Sequence, residues 1–342
     1  MPPKNIRVRI APSPTGFFHI GTTRTALMNW LYAKKAGGVF IVRIEDTDEE
    51  RSNPEYERII FESLEWLGLQ WNEGPDWTRK DGTKVSGSGD FGPYRQSERK
   101  ALYAAHLQEL LDKDAAYWCF CTKEDLDSER ESLIAGGLPP KYSGKCRSVA
   151  KAKAAERRAQ GDRAVLRFKM PEERISFSDM VRGKVEFDMS LGGDMVIAKD
   201  LQSPLFDIAN IIDDQHMEIT HVIRGEDHIP NTPKQIALQR ALGFRELQYA
   251  HIPLILNPDR SKMSKRSAST ALSDYEKAGY LPEAMINFLA LLGWHPEALK
   301  DEVTGKMKER EIFSLKELAM LFDISRVQKG GAIFNLEKLD WI

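Results

Sequence analysis

Residues 6–21 read Ile-Arg-Val-Arg-Ile-Ala-Pro-Ser-Pro-Thr-Gly-Phe-Phe-His-Ile-Gly. Residues 6–10 alternate apolar and basic side chains, as a short strand does. Residues 11–16 carry two prolines and a glycine, which forbid a continued strand or helix. Downstream, Ile20, Leu27, Trp30 and Leu31 fall at helical spacing, and Gly37-Gly38 supply a stop. Residues 39–44 then form a buried-strand run that ends at Glu45-Asp46. Strand, loop, helix, strand is the opening of a nucleotide-binding α/β unit.

A second such unit is expected far downstream. Residues 217–223 read as a strand and residues 232–242 as a helix, with Pro233 in its first turn and Gly243 at its end. Residues 252–256 read as another strand, leading into the polar loop 257–264. Between the halves, residues 81–92 (DGTKVSGSGDFG) lack periodicity and read as a flexible insertion. The following segment holds helices, all three cysteines and β-like pieces at 164–169 and 184–189. After Lys265 the chain reads mainly helical, with an apolar helix at 281–292 and a capping box at Ser314–Glu317. The expected division is a nucleotide-binding half at 1–94, an inserted domain at 95–202, the second nucleotide-binding half at 203–258, and a loop plus helical region at 259–342.

The composition narrows the class. The chain has 342 residues, long enough for two or three domains, with 42% hydrophobic and 29% charged residues. No apolar run approaches the roughly 18 residues that span a bilayer. The opening MPPKNIRVRI lacks the apolar core of a secretory signal, and three cysteines are too few for a disulfide framework. A cytoplasmic location is expected. The net charge of −2 argues mildly against nucleic-acid binding, but its distribution is uneven. Between residues 141 and 163 stand Lys141, Lys145, Arg147, Lys151, Lys153, Arg157, Arg158 and Arg163 against only Glu156 and Asp162. Taken alone, such a run is more often a solvated face.

Two constellations carry chemistry. His19 and Gly21 sit where a helix begins after a strand. There glycine lets a nucleotide approach the backbone, and the helix N-terminus favours phosphate. A histidine can donate to charge developing on that phosphate. Residues 262–266, Lys-Met-Ser-Lys-Arg, put three cations and a hydroxyl in one tight loop, suited to a triphosphate. Each pattern alone is weak. Together, and with RIAPSPTG (9–16) before them and RIEDTD (43–48), GPYRQSER (92–99) and HVIRGEDH (221–228) in order between them, they resemble the glutamyl-tRNA synthetases, a family of class I aminoacyl-tRNA synthetases.

The resemblance implies a Rossmann-type parallel nucleotide-binding sheet, split by an inserted acceptor-binding domain and followed by a mainly helical stem-contact region. It implies ATP-dependent activation of L-glutamate, with Mg²⁺ on the phosphates, and transfer to the 3′ end of a glutamate tRNA by a monomer. His19, Lys262 and Lys265 match the catalytic positions. His19, Gly21, Thr22, Asp227, Lys262, Ser264, Lys265 and Arg266 match ATP contacts. Arg9 and Arg224 match the cations for the glutamate side chain, Glu45 the acceptor for its ammonium, and Ala11, Ser13, Phe206 and Asn210 the remaining contacts. Phe206 departs from the tyrosine of many relatives and cannot supply that hydroxyl.

Cys119, Cys121, Tyr142 and Cys146 resemble a zinc site held by some members, and soft thiolates at short spacing suit zinc. Ser148 stands where a histidine is found in others, so plain thiols are the alternative reading. The basic stretch, within such an inserted domain, is expected to meet the tRNA acceptor arm through phosphates. A glutaminyl-type synthetase and a tRNA-modifying paralogue share the scaffold. The wording GPYRQSER favours the glutamyl type, and the Lys-Met-Ser-Lys loop disfavours the paralogue. The resemblance also implies truncation before an anticodon-binding domain, which follows a segment like FNLEKLDWI (334–342) in the family.

Overall fold

The computed structural model describes residues 5–261, 263, 270–297, 299–300, 307–308 and 310–342. The first unit runs β1 (Arg7–Ile10), α1 (Ile20–Lys35), β2 (Val39–Val42), α2 (Pro54–Trp66) and a small hairpin, β3 (Trp77–Thr78) with β4 (Lys84–Val85). Next come α3 (Lys100–Asp112), β5 (Ala116–Cys119), α4 (Lys123–Ala135), α5 (Lys151–Ala159), β6 (Val165–Phe168), β7 (Arg174–Asp179), β8 (Gly183–Asp188), β9 (Met195–Asp200) and β10 (Ser203–Pro204). The second unit holds α6 (Phe206–His216), β11 (His221–Gly225), α7 (Thr232–Leu242), β12 (Gln248–Ile252) and β13 (Ile255–Leu256). Helices α8 (Leu272–Lys277), α9 (Pro282–Leu291), α10 (Leu315–Leu321) and α11 (Leu336–Trp341) complete the chain.

Two distant parts of the sequence build one parallel layer. β1 pairs in parallel with β2, Arg7 opposite Val39, and β11 pairs in parallel with β12, His221 opposite Gln248. Thr220 joins the pairs: its N–H donates to the Arg7 carbonyl at 2.9 Å, and its Oγ1 accepts from the Arg7 N–H at 2.9 Å. β7 extends the layer past β12 through one parallel pairing, Tyr249 opposite Asp179, and β8 returns antiparallel to it. A separate antiparallel sheet, in the order β10-β9-β6-β5, lies within the intervening segment.

All of β1 is buried, including Arg7 and Arg9. Such charges inside need partners. Arg7 forks onto Glu73 at 2.7 and 2.9 Å. Helix α1 is apolar on most sides because it is covered on most sides. Its Leu27, Met28 and Leu31 share a core with β1, β2, α9, α10 and Trp294. Each such side chain contributes roughly 1.5–3 kcal/mol by burial.

Three elements differ from the sequence reading. Residues 217–219 are not strand: Met217 caps α6 and Glu218 takes φ 53° in the turn, so β11 begins at His221. Residues 252–256 divide at Pro253, which has no N–H for a ladder. Part of 81–92 is ordered by β4, and the Arg79 N–H bonding the Thr83 carbonyl at 2.9 Å closes the turn.

Candidate active site

A cavity of about 460 Å³ opens at the carboxyl ends of β1, β2 and β11 and the N-terminus of α1. In open parallel sheets ligands bind at this place. Its walls include Arg9, Ala11, Ser13, His19, Gly21, Thr22, Glu45, Phe206, Asn210, Arg224 and Asp227. Every site residue expected from the sequence, apart from the loop 262–266 and the cysteine group, therefore meets in one cavity. Lys262, Ser264, Lys265 and Arg266 lie outside the described residues. Met263 lines the same cavity, and its N–H bonds the Ile255 carbonyl at 3.2 Å. Beyond the loop, Thr270 accepts from Ile20 N–H at 2.8 Å, and Leu272 N–H donates to Phe18 at 3.0 Å. The histidine segment is thus stitched to the chain that follows the lysine loop.

His19 is the N-cap of α1, and its Nδ1 accepts the Gly21 N–H at 3.0 Å. In a neutral ring this leaves the proton on Nε2, so the imidazole is a donor there. A Cβ at Gly225 would stand 2.6 Å from Asp227 Oδ1, so any larger residue there would push that carboxylate aside.

The floor is a buried charge network. Arg9 Nε and Nη2 donate to the two Asp214 oxygens at 3.0 and 3.2 Å, and Arg43 Nη1 donates to Asp214 Oδ1 at 2.6 Å. Arg43 Nη2 and Asn210 Nδ2 both donate to Glu45 Oε1, at 3.1 and 2.8 Å. Asp213 accepts from Arg99, Gln96 and Tyr103. Burial opposes the Asp214 charge, but Arg9 and Arg43 overcome it and hold that carboxyl below its ordinary range. At Glu45 burial wins and raises the carboxyl against the pull of Arg43 and Arg9.

Arg224 differs from the other arginines of the floor. Its side chain is buried, and its acceptors are neutral: His251 Nε2 at 3.2 Å, Thr232 Oγ1 at 2.9 Å and Gln235 Oε1 at 2.8 Å. No carboxylate pairs with it among the described residues, and Nη1 is buried with no hydrogen-bond partner there. Burial lowers its pKa to about 10, so the group stays charged at neutral pH. A buried cation without an anion is costly, and a carboxylate ligand would complete it.

Sequence reasoning did not single out Arg24 or His228, which also line the cavity. Arg24 donates to the carbonyls of Leu292 (3.1 Å) and Pro253, tying α1 to the C-terminal helices. The His228 ring lies 5.5 Å from that of Phe206. Burial, with Arg224 nearby, depresses its pKa to about 4. His228 closes the quoted word HVIRGEDH, which was the available signal.

A second group lies in the intervening segment. The Sγ atoms of Cys119, Cys121 and Cys146 lie within 4.8 Å of one another. The Tyr142 hydroxyl is 3.3 Å from Cys119 Sγ and 3.5 Å from Cys121 Sγ. A tetrahedral zinc with bonds of about 2.3 Å holds its sulfurs about 3.8 Å apart, and Cys121 and Cys146 are 3.6 Å apart. Soft thiolates gathered so closely fit that ion.

The basic run is partly spent within the chain. Lys145 pairs with Asp125, Arg147 with Asp194 and Arg157 with Asp162. Lys141 bonds the Ser190 carbonyl, and Lys151 bonds carbonyls at the end of α3. Arg158 lies 3.9 Å over the Trp118 ring. No helix among the described residues is long and apolar enough to cross a membrane.

The model of the family described as tRNA synthetases class I (E and Q), catalytic domain, matches residues 5–341. The chain is 48% identical over 337 residues to a glutamate–tRNA ligase of Natranaerobius thermophilus, covering 98% of this chain and 65% of that protein. It is equally identical over 338 residues to that of Carboxydothermus hydrogenoformans, covering 98% and 66%. Among solved structures it resembles the glutamate-tRNA synthetase of Elizabethkingia anophelis, with TM-score 0.85 and 37% identity over 99% of this chain and 70% of that one. It also resembles a glutamate tRNA ligase of Elizabethkingia meningosepticum in complex with its amino acid, with TM-score 0.86 and 37% identity over 99% and 68%. The chain thus spans about two thirds of the length of the curated relatives it matches.

Proposed function

This chain belongs to the class I tRNA synthetases (E and Q), catalytic-domain family, and from that premise we propose that it activates L-glutamate with ATP and passes it to the 3′-terminal adenosine of a glutamate tRNA. The observation that carries the amino-acid choice is Arg224, a cavity-lining residue whose buried guanidinium has no hydrogen-bond partner at Nη1 among the described residues. An arginine fork selects a carboxylate both by charge and by shape. Arg9 lines the same cavity, and Glu45, held by Asn210, is the acceptor for the ammonium.

In the reaction the glutamate α-carboxylate attacks the α-phosphorus of ATP in line and displaces pyrophosphate. His19 donates from Nε2 to the charge that develops there, and Gly21 and Thr22 open the helix N-terminus to the phosphates. Lys262 and Lys265 supply further positive charge, with Ser264 and Arg266 completing the loop. Mg²⁺ bound with the triphosphate would supply neutralising charge to its oxygens, and Asp227 is a carboxylate of the cavity wall that could face it. Phe206 gives the amino acid an apolar face in place of a hydroxyl.

The segment 95–202 is the acceptor-arm domain in this reading. Within its basic run 141–163, the side chains of Lys153, Arg158 and Arg163 make no ion pair or hydrogen bond among the described residues and are the cations offered to phosphates, Arg158 being pre-oriented by Trp118. Zinc on Cys119, Cys121, Cys146 and Tyr142 would fix the strand β5 to the loop before α5. The test is ATP–pyrophosphate exchange with tRNA present. Exchange that requires L-glutamate and ignores L-glutamine and L-aspartate is expected, and exchange supported by another amino acid instead of glutamate overturns the reading.

A further inference from the structure

Arg224 is held by a neutral acceptor that must be kept in one protonation form. Its Nε donates to His251 Nε2 at 3.2 Å, and the Thr232 hydroxyl lies 3.0 Å from the same nitrogen. His251 Nε2 can accept only if the ring proton sits on Nδ1. Asp179 Oδ2 stands 2.6 Å from Nδ1 and so accepts that proton's hydrogen bond. The carboxylate is itself pinned. Its Oδ1 accepts the Val181 and Arg182 N–H groups at 2.9 and 2.8 Å, and its Oδ2 accepts the His251 N–H at 3.1 Å. Asp179, His251 and Arg224 are all buried.

The charged groups around the ring favour the neutral form. Arg224 lies on one side, and the Arg182 Nε donates to the His251 carbonyl at 3.1 Å. Asp179 is the single carboxylate against the ring among the described residues, and the aromatic neighbours Tyr249 and Phe177 lie 6.2 Å away, centroid to centroid. Burial, with Arg224, keeps the imidazole pKa below its ordinary value despite Asp179. The ring is therefore a neutral relay with one tautomer, not a second cation.

The topology makes this more than local packing. Asp179 is the last residue of β7, contributed by the segment between the two nucleotide-binding halves, and it reaches the site because β7 pairs with β12. We propose that Asp179 is a positioning residue for substrate carboxylate binding: by fixing the His251 tautomer it holds Arg224 so that Nη1 remains uncommitted. This rests on the reading of Arg224 as the seat of the glutamate carboxylate.

Asp179→Asn tests it. Two backbone N–H groups demand an oxygen at the Oδ1 position, so the new amide nitrogen falls at Oδ2 and donates toward His251 Nδ1; the His251 N–H gives up its bond to Oδ2 and keeps the one to Oδ1 at 3.3 Å. The ring proton then moves to Nε2, where it opposes the Arg224 Nε–H. The expected result is a glutamate KM raised roughly ten- to hundredfold, as for a lost hydrogen bond to a charged group, with the ATP KM unchanged. ¹⁵N NMR of histidine-labelled protein should show the protonated nitrogen of His251 change from Nδ1 to Nε2. A merely structural role would lower the active fraction, and hence kcat, without moving the glutamate KM. In an Arg224→Ala background the same change should add nothing further.

His251→Asn is the second variant. It keeps an N–H for Asp179 but has no atom at the position of Nε2 to accept from Arg224, so the glutamate KM should rise as well. If Arg224→Ala raises the glutamate KM while Asp179→Asn and His251→Asn leave it unchanged, the relay is overturned and the reading of Arg224 stands. If Arg224→Ala itself leaves it unchanged, that reading fails and the relay with it. A wild-type His251 protonated on Nε2 also overturns the relay.

Discussion

Asn210 donates from Nδ2 to Glu45 Oε1 at 2.8 Å, and the bond that Arg43 makes to Glu45 lands on the same oxygen. The second carboxylate oxygen takes no hydrogen bond from the described residues. Two donors on one oxygen fix the plane of the carboxylate and keep the other oxygen for a ligand cation.

Glu45→Gln follows from that arrangement. The amide keeps an oxygen for Asn210 and Arg43 and replaces the uncommitted oxygen with a donor, so the fold is retained. Loss of a charged hydrogen bond of about 1.5–3 kcal/mol should raise the glutamate KM roughly tenfold or more. The ATP KM should stay as it is. Exchange kinetics at varied glutamate and varied ATP separate the two, and an effect confined to ATP would remove Glu45 from the amino-acid site.

Lys265→Ala should reduce glutamate activation by roughly 10²–10³, the effect of removing one donor aimed at developing phosphate charge. The motive is the Lys-Met-Ser-Lys-Arg sequence at 262–266 and the position of Met263 on the cavity wall. Single-turnover measurement of adenylate formation, with tRNA present, is the check. A rate within about threefold of wild type would exclude Lys265 from the chemistry.

Acid should weaken the fold through His228. Its pKa is depressed from 6.5 to about 4 by burial and by Arg224. Between those values the unfolded chain binds a proton that the folded chain refuses, so stability rises with pH across this window and is lost as pH falls through it. The slope is about 1.4 kcal/mol per pH unit for one proton, giving a loss of about 1–2 kcal/mol between pH 6.5 and pH 5. Urea unfolding at the two pH values measures it. His228→Gln should lose less than wild type on acidification; an identical loss would mean that other groups carry it.

Zinc should be found at one per chain after expression with zinc, and Cys119→Ser should release it. Elemental analysis together with thiol titration decides. Burial drives the Cys121 thiol up to about 12, with Cys146 and Cys119 adding to it. Without an ion that group is a poor nucleophile at neutral pH and should react slowly with a thiol reagent. Metal-free protein with three fast-reacting thiols would contradict the geometry.

Local signals in the sequence were read well where local forces decide. Helix α7 has the bounds expected of it because Pro233 and Gly243 punctuate it. Ser314 and Glu317 form the capping box that opens α10. Helix α6 was legible too, since Leu205, Ile208, Ala209 and Ile212 fall at helical spacing; what its sequence does not show is that Asn210, Asp213 and Asp214 are buried beside its isoleucines. The cavity wall was legible through motif order. Its support was not, since Arg43 and Asp214 are 171 residues apart and Asp179 and His251 are 72 apart. Nothing in a single sequence announces that such residues touch.

The apolar residues of α1 share their core with Leu289, Trp294, Leu318 and Phe322, and Arg24 donates to carbonyls at Pro253 and Leu292. A division of labour near residue 258 is therefore not a division of folding. The interior begun in the first third of the chain is closed only by residues 289–322, so the two regions stand or fall together. Calorimetry should register these two regions as one cooperative block.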